Sequence, residues 1–103
     1  MNDKSDAPPE LTAYRETLDR LDAALVYLLA ERFTVTERIG QLKSQLNVPP
    51  LDARREQAQV ERLREIAMAA GLNPDYAERV FLTVTTVVRE RHEEIRRRPE
   101  PRR

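Results

Sequence analysis

The apolar residues of this chain hold one rhythm for longer than a small domain can use by itself. From Leu11 they recur as Tyr14, Leu18, Leu21, Leu25 and Leu28, then as Val35, Ile39, Leu42 and Leu46, in steps of three and four interrupted only at position 32. That spacing lines apolar side chains along one face of an α-helix. At about 1.5 Å per residue a helix from Leu11 to Leu46 runs roughly 50 Å, and a short chain built of a few long helices leaves much of such a stripe uncovered. The pattern therefore predicts a long first helix that must lie against something equally long, and with it an oligomer.

Asn47, Pro49 and Pro50 end the pattern, because proline removes a backbone donor and forces the residue before it into extended geometry. A second helix is expected from Asp52, whose carboxylate suits an N-cap, through Val60, Leu63, Ile66, Ala67 and Ala70 to a stop at Gly71. Asn73 and Pro74 then open a third, with Ala77, Val80, Phe81, Val84, Val87, Val88 and Ile95 as its apolar positions. The fold class is all-α, with three helices per chain, a long first and two shorter. At 103 residues there is room for one domain, expected over residues 11–97 between a disordered polar segment at 1–10 and a basic, proline-broken disordered tail at 98–103.

Lys and Arg balance Asp and Glu at 18 each, so no net field draws in nucleic acid or a membrane surface. The lack of cysteine excludes thiol chemistry and thiolate metal sites, and a single histidine, His92, argues against a metal centre. No stretch has the makings of an export signal or of a membrane span, so the chain is expected in the cytoplasm.

Several charged residues sit where the helical pattern calls for apolar ones. Arg32 fills the gap between Leu28 and Val35; it either packs its stem at a helix rim with its head in water, or meets a carboxylate from the protein or a ligand. Lys43 follows three turns later on the same face, where a cation also simply suits a helix C-terminus. Arg15 lies about 25 Å before Arg32 along the helix. It is either a surface residue pairing with Glu16 or Asp19, or the contribution of a second chain to a neighbouring site. Asp52, Arg55 and Glu56 open the second helix, where acidic residues favour the dipole and where Glu56, on the seam with Val60 and Leu63, could receive a hydroxyl. His92 continues the row of Phe81, Thr85 and Val88, as a packing residue or as a donor facing the cations.

Tyr14-Arg15, Leu18-Asp19-Arg20-Leu21-Asp22, Leu28-Leu29-Ala30-Glu31-Arg32, Ile39-Gly40-Gln41-Leu42-Lys43 and Pro50-Leu51-Asp52-Ala53-Arg54-Arg55-Glu56, in this order, resemble the AroQ-type chorismate mutases. Asn73-Pro74-Asp75-Tyr76 and Phe81 continue the likeness more loosely. The resemblance implies an intertwined helical homodimer that rearranges chorismate to prephenate without a cofactor. It implies that Arg15 is donated across the interface and that Arg32, Lys43 and Arg55 surround the substrate's carboxylates, with Lys43 also reaching the ether oxygen. Glu56 and the backbone amide of Asp52 match the positions that receive the C4 hydroxyl. Two positions depart from the family: Val88 stands where its members carry a serine near a carboxylate, and His92 where they carry a glutamine donating to the ether oxygen.

A unimolecular pericyclic shift needs no nucleophile, metal or redox group. It needs the two carboxylates fixed, which guanidinium groups do well, and donors aimed at the ether oxygen, where negative charge grows in the transition state. The same scaffold implies rivals, 4-amino-4-deoxychorismate mutase and isochorismate-pyruvate lyase, because Glu56 could accept an ammonium as readily as a hydroxyl. A non-catalytic dimer, regulating another enzyme or binding nucleic acid through Arg96–Arg103, is the reading from a different class. An activating shikimate-pathway enzyme is a candidate partner.

Overall fold

A computed structural model describes residues 7–49 and 52–97, and every regular element among them is an α-helix. Helix α1 spans Pro9–Gln45, α2 spans Ala53–Ala70 and α3 spans Pro74–Arg97. The first helix begins at Pro9, two residues ahead of the first apolar position, because proline is well suited to a first helical turn where its missing N–H is not needed. Residues 1–6 and 98–103, which carry most of the expected disordered N-terminal segment and the expected basic tail, lie outside the described residues.

The helix ends are set by local chemistry. Asn47 adopts φ 58, and beyond α1 its N–H donates to the Ser44 carbonyl at 3.3 Å while that of Val48 donates to Lys43 at 2.9 Å. Asparagine tolerates this left-handed conformation better than most residues, and the paired bonds satisfy carbonyls that the helix leaves open. Gly71 closes α2 in the same way at φ 78, with its own N–H on Met68 and that of Leu72 on Ala67. Asp52 caps the start of α2 by accepting from the Arg55 backbone N–H at 3.2 Å. The side chain of Asn73 accepts from the Asp75 N–H at 2.9 Å at the start of α3.

The chain divides into two compact units, with the boundary inside α1 after Thr34. In the first unit the helix has no buried residue; Leu18, Leu21, Leu25 and Leu28 are all more than half exposed, and Tyr27 is 80% exposed. The apolar stripe is present as the spacing demands, and the isolated chain leaves it open to water.

In the second unit, residues 35–97, α2 and α3 pack along each other and are joined by the short turn at Gly71. Ala67, 3% exposed, is the buried hydrophobic residue among those described, a small side chain that lets two helices approach. Around it the contact surface is narrower than the full set of apolar positions. On α3, Ala77, Phe81, Val84, Val88 and Ile95 are half-buried, whereas Val80 and Val87 are exposed. On α2, Val60 and Leu63 are half-buried while Ile66 and Ala70 face water. A row that keeps strictly to three-four steps faces the neighbour; residues one position aside do not.

Ion pairs flank this seam. Arg64 on α2 reaches Asp75 at 3.0 Å and Glu78 at 2.8 Å, and the hydrogen bonds it donates to those carboxylates raise its pKa above the ordinary arginine value. Arg91 on α3 places Nε 3.1 Å and Nη2 3.2 Å from the two oxygens of Glu37, a two-pronged contact to the last turns of α1, and meets Glu94 as well. Bonding to Glu37, then to Glu94, raises its pKa in turn. Forked contacts of this kind fix direction as well as distance.

Candidate functional site

The last turns of α1 and the final third of α3 enclose a small cleft of about 40 Å³ lined by Gly40, Lys43, Ser44, Val48, His92, Ile95 and Arg96. Lys43 and His92, from elements separated by half the sequence, thus share one cavity. Lys43 reaches it because the helix continues to Gln45, holding the residue half-buried in a regular last turn.

His92 is held by a contact that the sequence does not announce. Its Nε2 lies 2.9 Å from the backbone carbonyl of Thr36. A carbonyl oxygen only accepts, so Nε2 carries the hydrogen and donates it. In the neutral ring Nδ1 is then an acceptor, and His92 offers a second donor only as imidazolium. A histidine donor at this position depends on which ring nitrogen carries the hydrogen, and Nε2 is already engaged with the Thr36 carbonyl.

The ring also explains Gly40. A Cβ built at that position would stand 2.7 Å from His92 Nε2 and 2.8 Å from Cδ2. Glycine inside a helix costs about 1 kcal/mol relative to alanine, and here its missing side chain is the space the imidazole occupies. A lone glycine in a helical pattern is the signal that marks such an approach. The string Ile39-Gly40-Gln41-Leu42-Lys43 carries that signal.

The remaining candidates fall at separate places. Arg15 is exposed and Arg32 half-buried, both in the first unit on α1. In the second unit Asp52 is the N-cap of α2, Arg55 is exposed in its first turn, and Glu56 is half-buried at the head of the row formed with Val60, Leu63 and Ala67. Val88 is half-buried on α3, one turn before His92. Glu56 accepts a charge-assisted hydrogen bond from Arg89 of α3, a residue that the sequence pattern does not single out. The clue available beforehand was Glu56 itself, since a carboxylate on a packing seam calls for a cationic partner.

No group of three or more His, Cys, Asp or Glu side chains that could hold a metal occurs among the described residues, and no helix among them is long and apolar enough to cross a membrane.

Three helices, a seam between the second and third, and a small cleft holding Lys43 and His92 where the first helix ends define an all-helical domain. The profile of the chorismate mutase type II family matches residues 14–93, and the chain belongs to that family. Among its relatives, the T-protein of Enterobacter agglomerans is 37% identical over 75 residues, which is 73% of this chain and 20% of that protein. The chorismate mutase of Methanocaldococcus jannaschii is 25% identical over 72 residues, 70% of this chain and 73% of that protein. The bifunctional chorismate mutase/prephenate dehydratase of Escherichia coli K12 is 37% identical over 71 residues, 69% of this chain and 18% of that protein. The chain thus aligns with about a fifth of the T-protein and of the bifunctional relative.

Replacing Gly40 with alanine should lower stability by about 1 kcal/mol in urea unfolding. The overpacked ring and its broken bond to Thr36, a cost of about 1–3 kcal/mol, outweigh the gain in helix propensity. A variant stabilised by about 1 kcal/mol, the ordinary glycine-to-alanine result in a helix, would contradict this packing.

Proposed function

We propose that this chain is a chorismate mutase, converting chorismate to prephenate by a Claisen rearrangement in the cytoplasm, as a homodimer whose long first helices pair. The observation that carries this reading is the family match over residues 14–93, a stretch that takes in every candidate position from Arg15 to His92. The dimer is supported by the leucines of α1 that stand open in the isolated chain. Burying apolar side chains contributes about 1.5–3 kcal/mol each, so an open row of them favours association strongly.

In this reading Arg32 and Arg55 of one protomer and Arg15 of the other hold the two carboxylates and fold the enolpyruvyl arm over the ring. Lys43 donates to the ether oxygen, where negative charge develops as the C–O bond breaks and the C–C bond forms. Its place in the cleft beside His92 supports that role. Glu56 and the backbone amide of Asp52 take the ring hydroxyl. Val88 offers no hydrogen bond where other members use serine, a loss of about 1 kcal/mol. A prephenate-consuming enzyme of the same pathway is the partner this reading suggests.

Incubation with chorismate should yield prephenate. Lys43→Ala should lower turnover by at least about two orders of magnitude, the scale of one lost electrostatic donor, and Arg32→Ala should abolish conversion. Near-normal turnover in the lysine variant would remove Lys43 from the reaction, and no conversion by the parent would remove the mutase reading.

The His92→Gln variant, which restores the amide that the resemblance places there, should stay active with a pH profile between 5 and 8 that differs from the parent's. Identical profiles would show that His92 does not contact the reacting atoms.

A further inference from the structure

Glu56 carries more than the hydroxyl-receiving role just given to it. Its Oε2 is engaged by Nη2 of Arg89, across the α2–α3 seam, with the carboxylate the less exposed partner at 31% and the guanidinium at 51%. Arg89 follows Val88 directly and precedes His92 by three residues, beside the face of α3 that carries the two departures from the family pattern.

The pairing changes what Glu56 can recognise. A lone carboxylate accepts a hydroxyl and attracts an ammonium, and the ammonium is the better partner because it brings a full opposite charge. A carboxylate already bound to a guanidinium remains a good hydrogen-bond acceptor through its second oxygen, but a cation already stands beside it. An incoming ammonium would then sit within a few ångströms of the Arg89 cation, where like charges repel, whereas a neutral hydroxyl meets no such opposition. We propose that Arg89 is a specificity-determining positioning residue, and that by occupying Oε2 of Glu56 it restricts the site to substrates with a neutral hydroxyl, rather than an ammonium, on the ring. This deepens the mutase reading and rests on it: the scaffold alone leaves the ring substituent open, and the Glu56–Arg89 pair closes it.

The test compares kcat/KM for chorismate and for 4-amino-4-deoxychorismate in the full-length parent, Arg89→Gln and Arg89→Lys. The parent should prefer chorismate. Arg89→Gln should move the ratio towards the amino substrate by at least about tenfold, the size of one partly screened charge contact, while Arg89→Lys, which keeps the cation, should hold the parental ratio. A purely structural role for Arg89 would lower both rates and leave the ratio alone, and that result would overturn the assignment while leaving the mutase reading intact. A parent that prefers the amino substrate would overturn it too. If the parent and both variants convert neither substrate, the mutase reading falls and the role of Arg89 falls with it. If Arg89→Gln does not fold, Arg89→Met replaces it, and an unchanged ratio there has the same meaning.

Discussion

A helix of 37 residues extends about 55 Å, and among the described residues of the first unit none of its apolar row is buried. Water around exposed leucines is the cost that association removes, and the rest of the molecule is arranged around that need. The second unit meets its own need locally. Its two shorter helices cover each other around Ala67, and the last turns of the first helix join them through Thr36 and Glu37. The proposed pairing of long helices would meet the need of the first unit, and the proposed donation of Arg15 would be its functional consequence.

The cleft at the end of α1 follows from two small-scale features of backbone and side chain. Gly40 gives up a Cβ, which lets the imidazole lie against the helix, and the Thr36 carbonyl then fixes which ring nitrogen holds the hydrogen. Lys43 shares the cavity three residues on. Histidine, where the resemblance has glutamine, thus keeps a polar ring at this cleft with one of its nitrogens engaged by backbone.

The helices and their ends were legible in the sequence because caps and stops act over three or four residues. Asp52, Gly71 and Asn73 each do in the structure what their type and spacing require. The width of the buried seam was less legible: Val80 and Val87 look like core residues in a list of apolar positions, and only the crossing of α2 and α3 decides that they stay exposed. The contacts His92–Thr36, Arg91–Glu37 and Glu56–Arg89 join residues 33 to 56 positions apart. No local pattern encodes such pairings. The resemblance supplied residue identities for the site, but it could not supply Arg89, which no motif contains.

The central claim is that each active site is assembled from two chains, with Arg15 from one and Arg32 from the other. Purified Arg15→Ala and Arg32→Ala variants, each inactive alone, should be mixed, unfolded and refolded together, and chorismate turnover measured. Arg15 acting across the interface gives every mixed dimer one intact site, and random pairing then restores about a quarter of parental activity. If both arginines serve a site within one chain, no combination of the two variants contains an intact site, and a refolded mixture as inactive as its components would contradict the account.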